Sequence, residues 1–199
     1  MPKKIDHEKR KEKILQTALK VFAREGYKDS NLSLIASECN ISRPTIYQYF
    51  KNKEQIYYYA VKLVTGRMFT KYADYAWTTN DPIIERIFNI CSDIIDMAAT
   101  HRGELTSLVD VMLQLKKEGT DFSDIILRRT VKLHILFKRL LRLGISRGEV
   151  VECDITKITS HIVILLESFG FQLAFLDAFD VEEAKDLIAN YLELLNPNK

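Results

Sequence analysis

The sequence predicts an all-α protein, on three observations. Apolar residues return every three or four positions through most of the chain, no stretch alternates with period two for long, and helix-starting and helix-ending residues fall between the periodic runs. A chain of 199 residues, 47% hydrophobic and 28% charged, can bury a sizeable core in one or two domains.

Residues Met1 to Glu12 are mostly charged, with Lys3, Lys4, Lys9, Arg10 and Lys11 ahead of the first apolar turn. Such an arm either follows a nucleic-acid backbone or minor groove, or serves only as a solubilising tail. From about Asp6, the residues Ile14, Ala18, Val21 and Phe22 form one face of an amphipathic helix that ends at Gly26.

Leu32, Ile35, Ala36 and Cys39 put small apolar groups on one face of a short helix, for which Asn31 is a cap. Asn40 stops it, because Asn tolerates the left-handed backbone that a tight turn needs. Ile41 is expected in the core and Ser42 at the cap of the next helix, where Ile46 and Phe50, four apart, face inward. That leaves Arg43, Thr45, Tyr47, Gln48 and Tyr49 pointing mostly outward, and a solvated helix rarely carries two tyrosines there. Two short helices joined in this way are a helix-turn-helix. The second fits the DNA major groove, where Arg suits guanine, Gln suits adenine, and a Thr methyl or Tyr ring meets a thymine methyl. Pro44 is acceptable in a first helical turn but biases Arg43 away from helical angles. Asn52 and Gln55 read as a capping box, and Lys53 in the turn that follows is expected to reinforce a phosphate held on backbone amides. A helical hairpin that merely packs is the alternative, but it does not call for caps, turn and exposed aromatics together.

These residues resemble the DNA-binding domain of TetR-type transcriptional repressors. The likeness lies in Ile35-Ala36, Ile41-Ser42, Thr45-Ile46-Tyr47, Tyr49-Phe50 and Asn52-Lys53-Glu54, preceded by Gly26-Tyr27, and covers the first quarter to third of the chain. Cys39-Asn40 stands where the family commonly has Ala-Gly, and Pro44 where it has Gly or Ala. The resemblance implies a three-helix helix-turn-helix DNA-binding domain over 1–52 and a helical effector-binding and dimerisation domain over 53–199. The expected DNA-binding residues are Ser33, Ser42, Arg43, Pro44, Thr45, Tyr47, Gln48, Tyr49 and Lys53.

After Asn52, the run Ile56, Tyr59, Ala60, Leu63 and Val64 continues towards Met68 and Trp77 as one long helix. Thr78-Thr79-Asn80-Asp81-Pro82 is the first clear loop, with Asp81 as cap and Pro82 in the first helical position of a helix through Ile83, Ile87, Ile90, Ile94 and Met97. His101-Arg102-Gly103 breaks it, and another helix runs from about Glu104 through Leu108, Met112 and Leu115 to Lys117. Glu118-Gly119-Thr120-Asp121 breaks the chain again. A longer helix with a basic outer face then passes from Phe122 through Ile126, Leu133, Phe137, Leu140 and Leu143 to end near Gly144 to Gly148.

From Asp154 to about Ala178 apolar residues lie nearly all round, and a helix apolar on two sides must be covered on two sides. Asp180 with Glu183 starts the last helix, whose Ala184, Leu187, Ile188, Tyr191 and Leu195 make a strong stripe. The cover is either a core within one subunit or the same two helices of a second chain. The resemblance implies the second, because TetR-like proteins dimerise through their final two helices. Ile162, Leu166, Phe169, Gly170, Leu173, Leu187 and Tyr191 are the expected interface, with Gly170 allowing close backbone approach. A twofold dimer would read two half-sites, so a near-palindromic operator is expected.

The resemblance also implies an effector cavity in the central helices. Trp77, Phe88, Met97, Met112, Phe122, His134, Phe137, Glu167 and Phe171 are candidates to line it, although Met and aromatic residues at helical spacing also serve as plain core. His134 and Glu167, each beside apolar neighbours, need a polar partner if buried, either within the protein or on a ligand. This lining favours a mainly apolar small molecule as effector. The other expectation for the same fold is a DNA-binding regulator governed by a protein partner without a small ligand.

Net charge is +2 overall. Residues 1–56 hold twelve Lys or Arg against seven Asp or Glu, a net +5, and the remainder 17 against 20, a net −3, which directs phosphate attraction to one end. No run looks apolar enough to span a bilayer and the N-terminus is polar, so a cytoplasmic location is expected. Three cysteines, Cys39, Cys91 and Cys153, form no paired framework and suit a reducing compartment. His7, His101, His134 and His161 have no metal spacing, and there is no phosphate loop or nucleophile motif, so no cofactor, metal or enzymatic activity is expected. Glu152 and Asp154 flank Cys153 and make it a poor nucleophile.

Overall fold

The computed structural model of the chain describes residues 6–117, 119 and 123–197, without the side chains of 64, 65, 68 and 123–129. The expectations placed on Lys3, Lys4, Glu118, Thr120, Asp121 and Phe122, and on the side chains of Val64, Met68 and Ile126, lie outside the described residues. All regular structure among them is helical: α1 (His7–Glu25), α2 (Leu32–Glu38), α3 (Arg43–Tyr49), α4 (Lys53–Thr78), α5 (Ile83–Thr100), α6 (Arg102–Lys117), α7 (Ser123–Arg147), α8 (Ile155–Phe175) and α9 (Val181–Glu193).

Two compact units share these helices, Met1–Arg67 with Thr106–Ile125, and Met68–Leu105 with Ile126–Lys199. The domains expected from the sequence, 1–52 and 53–199, do not coincide with these units.

Short-range caps shape the first unit. Asp6 accepts from the amide of Lys9 at 3.2 Å, Asn31 from that of Leu34 at 2.9 Å, and Ser42 from that of Thr45 at 3.3 Å. Asn40 takes φ 55°, the left-handed turn expected of it. Arg43 begins α3 with Pro44 behind it, so the Ser42 cap overcomes the bias that proline places on its predecessor. Ile14, Ala18, Val21 and Phe22 of α1, Ile35 and Ala36 of α2, Ile46 of α3, Phe50, and Ile56 and Ala60 of α4 are buried together. Val111 and Leu115 of α6 join the same core. The Tyr57 hydroxyl donates to the Leu108 carbonyl at 2.7 Å, so the latter part of α6 is built into this unit.

In the second unit α5 packs on α8 and α9, with Ile87, Ile90, Phe137, Leu140, Ile162 and Ile188 fully buried. The α4–α5 turn is tied by Arg86, which is 6% exposed and donates to the carbonyls of Asp81 at 2.6 Å and Ala76 at 3.0 Å. The Asp81 carboxylate is not the α5 cap. It accepts from the Tyr75 hydroxyl at 2.7 Å, while Glu149, far along the chain, accepts from the Ile83 amide at 2.8 Å. Arg86→Ala leaves two carbonyls short of partners, and urea unfolding is expected to show a loss of about 2–3 kcal/mol. A loss below about 0.5 kcal/mol, the size of an ordinary surface change, would contradict this role. Gly144 sits where a Cβ would overlap Val150, which lets the strand of chain after α7 fold back against the helix.

One expectation is corrected here. α8 is long and apolar enough, at a mean hydropathy of 1.5, to cross a membrane by length and composition alone. Its apolarity serves packing on one side, since Ile162, Val163, Leu166 and Phe169 are buried in the unit's own core and Leu173 is buried on the same helix.

Candidate nucleic-acid interface

α3 has an inward side and an outward side, as its spacing predicts. Ile46 and the following Phe50 are fully buried, while Arg43, Pro44, Gln48 and Tyr47, the last 49% exposed, face solvent. Ser42 is exposed and its hydroxyl lies 2.7 Å from that of Thr45, which is half-buried, as is Ser33 in the first turn of α2. Arg24 of α1 reaches Glu38 of α2 at 2.8 Å and ties the two helices together.

Tyr49 does not point outward. It is half-buried on the first core, its hydroxyl lies 2.9 Å from His7 Nδ1, and the two rings are 5.9 Å apart. The reason is rotation: Tyr49 is three residues after the buried Ile46 and so leans towards the core edge. His7 was absent from the expected site because its partner lies 42 residues away.

Lys53 also departs from expectation. Its ammonium donates to the carbonyls of Tyr27 at 2.8 Å, Lys28 at 3.1 Å and Ser30 at 3.4 Å, and stands 4.4 Å from the centroid of the Tyr27 ring. With three donors on three carbonyls, it is not available to a phosphate in this arrangement. The cap around it is close to that predicted: Asn52 accepts from the Gln55 amide at 2.9 Å, but Gln55 reaches back to the amide of Lys51 rather than Asn52, at 2.7 Å.

A second surface lies on α8 and α9. Ile164 (59% exposed), Phe171 (63%), Phe175, Leu176, Leu187 and Leu194 (70%) are large apolar side chains left open to solvent. Phe171 and Phe175 stack with centroids 4.6 Å apart. Of the expected interface residues, Leu187 belongs to this surface. Ile162, Leu166, Phe169 and Leu173 do not, because they occupy the opposite side of α8 and are buried in the chain's own core. Gly170 has no heavy atom within 4 Å of a would-be Cβ, and Tyr191 is half-buried with its hydroxyl 2.8 Å from His161 Nδ1.

Within the second unit the expected effector-lining residues have different surroundings. Phe88 and Met97 pack half-buried on the second core, and Phe137 is fully buried within it. Trp77 is 47% exposed, Phe171 belongs to the open apolar surface, and Met112 packs on the first core with Val111 and Leu115. Glu167 is exposed rather than buried, and accepts from the Thr130 hydroxyl at 3.1 Å. His134 Nδ1 lies 2.8 Å from the Thr130 carbonyl, so Thr130 connects the two. The thiol of Cys153 is pushed up from its ordinary value by burial and then by Glu152 and Asp154, which keeps it protonated.

Residues 14–59 match the family profile described as bacterial regulatory proteins, tetR family. YhgD of Bacillus subtilis (strain 168), an uncharacterised HTH-type transcriptional regulator, is 28% identical over 158 residues, 79% of this chain and 80% of that protein. The crystal structure of a TetR transcription regulator from Haloarcula marismortui has a TM-score of 0.82 at 18% identity, over 95% of this chain and 99% of that one. FadR of Bacillus subtilis, solved in complex with stearoyl-CoA, has a TM-score of 0.73 at 21% identity, over 90% of this chain and 96% of that one. The two solved structures share the fold of the chain, and the profile falls on α1 to the start of α4, so residues 14–59 match the DNA-binding segment of the bacterial tetR family.

Proposed function

We propose that the protein is a repressor that binds a near-palindromic operator as a twofold dimer and leaves it when a small, mainly apolar effector binds. The observation that carries the DNA-binding half is the outward side of α3. Arg43, Pro44, Tyr47 and Gln48 stand in solvent on a helix anchored by Ile46, a set suited to base edges and thymine methyls. By role, 1–52 reads DNA and 53–199 dimerises and binds the effector.

Dimerisation follows from size. One recognition helix of seven residues meets too few base pairs to select a site, whereas two such helices related by a twofold axis read two half-sites. The open apolar surface of α8 and α9 supports pairing with the same helices of a second copy, since a patch of this kind marks an interaction site.

For the effector, the likeness to FadR, a protein solved with stearoyl-CoA, favours a long acyl chain with an anionic head. Residues 130–147 of α7 suit such a head, with Lys132, Lys138, Arg139, Arg142 and Arg147 and no acid. Phe88, Met97 and His134, half-buried in the second unit, are the residues we retain for the acyl chain. The protein acts in the cytoplasm, where DNA and acyl thioesters are both present. A preference of a few kcal/mol for the DNA-released form suffices. Titrating stearoyl-CoA into a labelled protein–operator complex is expected to weaken DNA binding at least tenfold, about 1.4 kcal/mol. Equal operator affinity with and without saturating stearoyl-CoA would exclude this effector class.

A further inference from the structure

The loop from Tyr27 to Ser30 turns three carbonyls towards one point, and the ammonium of Lys53 occupies it. Tyr27 anchors the loop. It is 1% exposed, its ring packs at 5.3 Å from Phe22 and 5.9 Å from Tyr57, and its carbonyl also accepts from the Ser30 hydroxyl at 2.7 Å. Three carbonyl dipoles aimed at one another repel unless a cation lies between them. An ammonium supplies both the charge and three donors, and the Tyr27 ring face adds a cation–π contact.

The position of this contact in the chain gives it a role. Residues 27–30 immediately precede the Asn31 cap of α2, whereas Lys53 opens α4 directly behind α3. One side chain therefore closes the helix-turn-helix from its first end to its last. We infer that Lys53 is a positioning residue for DNA binding, which holds the start of α2 against the start of α4 and does not itself touch phosphate. This rests on the DNA-binding reading above. A phosphate contact would require the ammonium to give up its three carbonyls. Lys51, two residues earlier and exposed, has no such engagement and serves as the comparison. An open cavity of about 330 Å³ borders the loop, lined by Tyr27, Lys28, Lys53, Gln114 and Lys117, so water can hydrate the carbonyls when Lys53 is shortened. Loosening rather than unfolding is the expected consequence.

The test compares full-length Lys53→Met, the milder Lys53→Gln, Lys51→Met and the unmodified protein. Operator affinity is measured from about 50 to 200 mM salt, and amide hydrogen exchange is followed in the DNA-free protein. Loss of a phosphate contact lowers the slope of log affinity against log salt by about 0.9 per contact, hence about twice that for a dimer. Both Lys53 variants are expected to bind several-fold to tenfold more weakly with an unchanged slope, and to show faster exchange at Lys28 to Asn31. Lys51→Met is expected to leave exchange at the loop unchanged. A Lys53 slope reduced by nearly two with unaltered exchange would overturn the inference. If the unmodified protein bound no duplex at any salt concentration, the DNA-binding reading would fail instead, and faster loop exchange would still establish the tether.

Discussion

Replacing Phe171 and Leu187 together by glutamate is expected to leave a folded single chain with no measurable affinity for the operator. Both side chains are at least half exposed within one chain, so added charge there costs that chain little. In a pair of chains each change occurs twice, and each would carry a carboxylate into a surface now formed by Ile164, Phe175 and Leu194. Truncating a central aromatic at an interface costs about 2–4 kcal/mol, and an unpaired charge there costs more. Sedimentation equilibrium reads the mass and far-ultraviolet dichroism the fold. Leu173→Glu supplies the contrast: it is buried in the chain's own core and should abolish folding outright. A dimer that survives the double change would place the interface elsewhere.

Arg43→Ala and Gln48→Ala are each expected to cost about 1–3 kcal/mol per half-site, and so about twice that for the dimer, while relaxing preference at the base that each one meets. Neither change touches the core, since both side chains are exposed and the helix is held by Ile46 and the Ser42 cap. Melting temperature should therefore stay put while binding to a panel of single-base operator variants flattens at one position. Equal losses against every variant would reassign these residues to phosphate contact. Tyr49→Phe belongs to a different class. It removes the bond to His7, and its effect should be on how α1 is held rather than on base preference.

What was legible in the sequence was largely what is decided within four residues. The caps at Asn31, Ser42 and Asp180 and the left-handed turn at Asn40 are settled between a side chain and nearby amides, and each is found in the structure. What escaped depends on partners far along the chain. Lys53 meets carbonyls 23 to 26 residues away, Tyr49 meets His7, and Glu149 caps a helix that Asp81 appeared to own. In α8 the difficulty was of another kind. A helix apolar all round carries no mark of which side meets its own chain, so the resemblance puts Ile162, Leu166, Phe169 and Leu173 at the partner and Phe171 in the interior, the reverse of their burial. Met112 shows a third limit, because α6 returns to the first core after α5 has left it for the second, which no periodicity could signal.

Selection of bound duplexes from random DNA with the purified full-length protein tests the central claim most directly. Two copies of one short sequence in inverted orientation, at a fixed spacing of about one helical turn or slightly more, are predicted. A single asymmetric site, or no enriched sequence at all, would contradict a twofold reader built on the outward side of α3.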